Sequence, residues 1–108
     1  MSLPDTSSPH YHGHRQRLRE RLLQSGADAL QDYELLETLL FAAIPRRDIK
    51  PLAKQLLHEF KSLWALINAP PERLLQFGLS ETAAATLLVT GAIALRADHG
   101  VDLSLGVV

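Results

Sequence analysis

The chain has 108 residues, of which 46% are hydrophobic but only 6% aromatic, and its 11 Lys and Arg stand against 12 Asp and Glu for a net charge of −1. That is one domain's worth of sequence, able to bury roughly two-thirds of the surface its unfolded chain exposes, with a core built mainly from Leu and Ala. The near-neutral charge excludes a polycation, the absence of cysteine excludes a disulfide framework and thiolate chemistry, and no apolar run has the length of a signal sequence or membrane span, which together point to a cytoplasmic protein.

The opening MSLPDTSSPHYH is rich in Pro, Ser and His and is expected to be a disordered tail over residues 1–12, with the helical domain spanning 13–98. A first helix is predicted from about His14 to Gln24, stopped by Gly26, with Leu18, Leu22 and Leu23 on one face. The 100° step puts Arg17 and Arg21 opposite the leucines and leaves Arg15 and Arg19 beside them, so that Arg19 is expected to be partly buried. Asp32 is expected to cap a second helix, Tyr33 to about Ala43, whose apolar face is Leu35, Leu36, Leu39, Leu40 and Ala43. Pro45 ends it by pushing Ile44 out of the helical region. Asp48 then caps a third helix, about Ile49 to Phe60, with Pro51 tolerated in the first turn and Leu52, Ala53, Leu56, Leu57 and Phe60 facing inward. Ser62 starts a short fourth helix through Trp64 and Ile67, Pro71 opens a fifth through Phe77, and a sixth runs from about Glu81 to Ala97. The fold expected from this is an all-α bundle of five to six short helices. The closing VDLSLGVV alternates with strand periodicity, so residues 99–108 are expected to be a linker or the first strand of a further domain.

The densest signal is Leu74 to Leu88, LLQFGLSETAAATLL, where two apolar helices meet across a turn of about three residues. Gly78 supplies the positive φ that ends one helix, and Ser80 caps the next, leaving its first N–H groups pointing outward as a phosphate site. The pattern resembles the helix-hairpin-helix motif of DNA-binding proteins, in which Gly78, Leu79 and Ala84 match, Ser80 replaces the second glycine, and Glu81 stands where a neutral or basic side chain suits phosphate. Gly78, Leu79, Ser80, Glu81 and Thr82 are therefore the hairpin candidates for contact with DNA. An ordinary Gly-terminated helix followed by a Ser-capped one explains the same residues as scaffold.

A second candidate is HYHGHRQRLRER, His10 to Arg21, with four arginines against one glutamate. Arg15, Arg17 and Arg21, joined by Arg46 and Arg47 in the loop PRRD, form a basic patch suited to phosphate oxygens. The alternative is a solvated face whose arginines pair with Glu20, Asp28, Glu34 or Glu37. Lys50, Lys54 and Lys61 extend the basic character. His10, His12 and His14 alternate, yet no Cys or carboxylate cluster completes a tetrahedral site, so no metal and no other cofactor is expected. No zinc helix and no Ser or Cys nucleophile site can be assembled.

A remote enzymatic alternative is a DNA glycosylase of the helix-hairpin-helix type, which places a catalytic Asp roughly twenty residues beyond the hairpin, as Asp102 stands here, inside a larger domain that clamps a flipped base. Thr82 replaces the lysine many such enzymes carry.

Taken together, GHRQRLRERLL at Gly13 to Leu23, DYELLETLLFAAIPRRDIKPLAKQLL at Asp32 to Leu57, and the hairpin at Gly78 resemble the N-terminal domain of the RadC family, also called UPF0758. The likeness covers about Gly13 to Arg96. It implies a DNA-repair association and, in full-length members, a following JAB or MPN-type zinc domain. That domain's His-x-His-Pro-x-Gly motif does not occur here, so the chain is expected to be non-catalytic, an excised domain or a shortened member. The leading expectation is a weak, sequence-independent DNA-binding module without membrane contact. The rival is a protein-interaction or regulatory domain docking a JAB/MPN-type domain or another partner through Trp64, Phe77 or the tail.

Overall fold

The computed structural model describes the backbone of residues 10–107 and the side chains of residues 13–98, so most of the expected disordered tail lies outside the described residues. Every regular element among the described residues is helical: α1 (His10–Ser25), a 3-10 turn (Ala27–Ala29), α2 (Asp32–Phe41), α3 (Lys50–Phe60), α4 (Leu63–Ile67), α5 (Pro71–Phe77) and α6 (Glu81–Val107). This is the all-α class expected from the Leu- and Ala-rich composition. The chain divides between Glu59 and Phe60 into two compact units.

In the first unit α1 packs on α2. Helix α1 takes in residues 10–12, expected to belong to the tail, and ends at Gly26, whose φ of 85° breaks the helix. Leu18 is buried, whereas Leu23 is 81% exposed, so it does not share the inner face. The face is instead set by Arg15, Leu18 and Leu22 at i, i+3 and i+7. Gln31 rather than Asp32 is the residue before the first turn of α2. Its N–H donates to Glu34 Oε1 at 2.9 Å, half of a capping box in which Glu34 reaches back to the helix start. Helix α2 stops at Phe41, two residues short of the expected end. The N–H groups of Ala43 and Ile44 both turn back to Leu40 O, at 3.0 and 2.9 Å, before Pro45. Asp48 Oδ1 accepts the Lys50 N–H at 3.1 Å and organises the start of α3, with Pro51 in the first turn, where its missing N–H costs nothing. Leu36, Leu40, Ile49, Leu52, Ala53 and Leu56 are buried.

In the second unit α4 and α5 each pack on α6. Ser62 Oγ accepts the Ala65 N–H at 3.0 Å and starts α4, while Pro71 opens α5. The approach of α6 to the end of α4 is so close that a Cβ on Gly91 would lie 1.9 Å from the Ile67 carbonyl oxygen. Glycine at this position is a contact requirement. Leu66, Leu74, Leu79, Ala83, Ala84 and Leu87 are buried. The strand expected from the alternation of Val101, Leu103, Leu105 and Val107 is not formed, because the backbone stays helical through Val107. Extending an existing helix gains a hydrogen bond for each residue fixed, whereas a lone strand has no partner to bond.

Candidate nucleic-acid interface

The hairpin between α5 and α6 is built by two local devices. Gly78 takes φ 111° and ψ 12°, and the chain closes back on α5 through Gly78 N–H to Leu75 O at 3.0 Å and Leu79 N–H to Leu74 O at 3.3 Å. This is a Schellman-type end, which places a buried Leu79 side chain against the helix it terminates. Ser80 Oγ then accepts the Ala83 N–H at 3.2 Å, and Ser80 O accepts the Ala84 N–H at 2.9 Å. The N–H groups of Glu81 and Thr82 have no carbonyl four residues back within α6, so they are available to a ligand. Gly78, Ser80, Glu81 and Thr82 are exposed. Of the five hairpin candidates, Leu79 alone is buried and acts as scaffold. Glu81 sets a carboxylate beside the two free amides, opposing the positive end of the helix.

The arginines separate into three kinds. Arg15 is only 8% exposed, and its guanidinium donates to the carbonyls of Phe41 at 2.9 Å, Ile44 at 2.6 Å and Arg47 at 2.9 Å. It also lies 4.5 Å from the centre of the Phe41 ring. These carbonyls are left over where α2 ends and the IPRRD loop begins, so a buried cation satisfies them. Arg15 is thus removed from the basic patch expected from the sequence, and Arg19, which is exposed, is not the partly buried arginine. Arg21 donates to both carboxylate oxygens of Glu34, at 3.1 and 2.9 Å, and to Ala29 O at 2.8 Å. Its hydrogen bonds hold the Glu34 carboxyl below the usual range, assisted by the Gln31 N–H. Arg17, Arg46 and Arg47 are exposed and form no ion pair among the described residues.

Two features of the first unit were not visible in the sequence. Glu37 is fully buried. Its Oε2 lies 3.0 Å from His14 Nε2, while Oε1 has no hydrogen-bond partner. Burial pushes its pKa above the usual carboxylate range, an effect the His14 contact only partly offsets. One turn before Glu37 on α2, Tyr33 has Lys54 Nζ 4.8 Å and Lys50 Nζ 5.8 Å from its ring centre. The i, i+4 spacing of the lysines was legible, but their meeting with a tyrosine from another helix was not.

Among the described residues no group of three or more His, Asp or Glu could hold a metal ion, and no helix is long and apolar enough to cross a membrane. The side chains of His10, His12 and Asp102 lie outside the described residues.

The fold and this site define a small all-helical module with a tight Gly–Ser hairpin and a few unpaired surface cations. The chain belongs to the UPF0758 family, whose N-terminal domain model, UPF0758 N-terminal, matches residues 12–86. A UPF0758 protein of Rhodobacter capsulatus is 49% identical over 80 residues, which make up 73% of this chain and 37% of that relative. The chain therefore spans little more than a third of the length of that relative. No solved structure matches.

Proposed function

We propose that this chain is a non-catalytic, cytoplasmic DNA-binding module that contacts backbone phosphate without reading sequence. The observation that carries the reading is the exposed start of α6, where the Glu81 and Thr82 N–H groups follow Gly78 and the Ser80 cap. Such a hairpin, of the helix-hairpin-helix kind, suits one phosphate oxygen at a helix N-terminus. Arg17, Arg46 and Arg47 are the exposed cations that add long-range attraction. Glu81 keeps the affinity low. A link to DNA repair rests on the family resemblance alone.

Fluorescence anisotropy with labelled single-stranded, duplex and branched DNA, at low and physiological salt, tests the reading. Binding should weaken with salt, tighten in Glu81→Gln and weaken in the triple variant Arg17→Ala/Arg46→Ala/Arg47→Ala. No binding at low salt and high protein concentration would sink it.

A second reading, a docking domain for another protein or for a JAB/MPN-type domain, is favoured by exposed apolar side chains. Trp64 is 55% exposed, and on α6 Val89 and Ile93 are 55% and 62% exposed, one turn apart. Salt-insensitive behaviour together with protection of Val89 and Ile93 in full-length family members would favour it.

A further inference from the structure

We propose that Tyr33, Lys50 and Lys54 form a second binding site for nucleic-acid backbone phosphate, on the α2–α3 face of the first unit. The inference rests on the DNA-binding reading above and moves its principal electrostatic anchor away from the hairpin.

Lys50 and Lys54 lie one turn apart on α3, and both ammonium groups converge on one Tyr33 ring, at 5.8 and 4.8 Å from its centre. Two cations gathered at one place repel each other, and the negative face of the ring offsets part of that cost. An anion placed between them removes the rest. Neither lysine is in the ion pairs His14–Glu37 and Arg21–Glu34, although the Lys50 charge acts on the buried Glu37 carboxyl from a distance and works against the rise in pKa that burial causes. The nearby acids are otherwise engaged or turned to the solvent. Asp48 accepts the Lys50 backbone N–H, Glu37 is buried against His14, and Asp32 is exposed beside Tyr33. Arg46 and Arg47, both exposed, immediately precede this start of α3.

Paired ammonium groups with six N–H donors suit the two free oxygens of a phosphodiester, and they carry no base-edge code. A nucleic-acid backbone fits better than an anionic membrane. The large exposed apolar side chains of the described residues are Leu23, Trp64, Leu75, Val89, Ile93 and Leu95, none of them on α2 or α3. A surface meant for lipid pairs its basic residues with such anchors.

The test is the salt dependence of DNA binding by the full chain and by Lys50→Gln/Lys54→Gln. If each lysine neutralises one phosphate, the double variant should lower the slope of log affinity against log salt by about two and weaken binding roughly ten- to hundredfold at 0.1 M salt. Lys54→Gln alone should lower the slope by about one. Tyr33 is a positioning residue, so Tyr33→Leu should weaken binding with little change in slope, and Tyr33→Phe should restore it. Unchanged circular dichroism shows that the variants are folded. A wild-type slope in the double variant, with DNA still bound, would overturn this site and leave the hairpin reading intact. Absence of binding by the wild type would defeat the reading on which the site rests. Binding to phosphatidylserine vesicles without binding to DNA would overturn it in favour of a membrane surface.

Discussion

Gly91→Ala should destabilise the second unit although it improves helix propensity. Replacing glycine by alanine inside a helix gains about 1 kcal/mol through propensity alone. Here the added methyl would sit 1.9 Å from the Ile67 carbonyl oxygen and 2.8 Å from its carbon. Both are backbone atoms, so no side-chain rotation relieves the overlap, and α4 and α6 must part by about 1 Å or more in a packed interior that resists overfilling. Overpacking of this kind costs typically about 1–3 kcal/mol and sometimes more, and a backbone clash belongs at the upper end. The net loss is about 2 kcal/mol, or roughly 8–16 °C in Tm for a small domain. Thermal unfolding followed by circular dichroism, with urea midpoints beside it, measures this. Ala92→Gly, at the exposed neighbouring position, reports the propensity effect alone and should cost about 1 kcal/mol. A Gly91→Ala protein melting at or above the wild-type temperature would refute the close approach of the two helices.

Other perturbations separate the first unit's buried groups from its surface. Arg15→Leu removes the donor to the Phe41, Ile44 and Arg47 carbonyls and should cost about 3 kcal/mol in urea unfolding, because buried acceptors are left unsatisfied. Burial raises the Glu37 pKa above its ordinary 4.5, so the folded state holds that proton to higher pH than the unfolded state does. Its contribution to stability is therefore greatest below the ordinary value and is lost as pH rises through the raised one. Glu37→Gln should remove that decline and be at least as stable as the wild type at pH 7 in pH-dependent melts. Glu34 has the opposite sign, because Arg21 lowers its pKa, so Glu34→Gln should be less stable than the wild type at neutral pH and equal to it in acid. Gly78→Ala, at φ 111°, should lose about 1–2 kcal/mol by chemical denaturation.

Features with local causes were legible in the sequence. Ser62, Pro71, Gly78 and Ser80 mark their helix ends because each acts through its own backbone or that of a residue within one turn. Where two residues within one helical turn compete for one local role, sequence alone does not choose between them. Gln31 took the position assigned to Asp32 because Glu34 reaches back to its N–H, and Arg15 was buried in place of Arg19 because three carbonyls converge on it. Gly91 gave no signal, since its requirement comes from the carbonyl of Ile67 in another helix. Tyr33 meets Lys50 and Lys54 only after α2 and α3 fold. The strand alternative for the tail fails, the backbone being helical through Val107, because alternation over a few residues says nothing about whether a partner strand exists.

The cations of the first unit do two kinds of work, and their chemistry separates them. Arg15 holds the carbonyl of Arg47 from inside, while the Arg46 and Arg47 side chains of the same loop stay exposed. Removing Arg15 loosens the loop without removing a phosphate contact, so DNA affinity should fall with little change in its salt slope. Removing Arg46 and Arg47 deletes the proposed phosphate contacts themselves, so slope and affinity should fall together. The second unit offers fewer cations, since Glu81 stands beside its free amides, its Arg73 guanidinium lies 4.4 Å from the Phe60 ring centre, and Lys61 and Arg96 are its remaining basic side chains. If DNA binds this chain, the first unit, which carries most of the exposed Lys and Arg, contributes most of the steepness of its salt dependence, and the hairpin contributes a contact that Glu81 keeps weak.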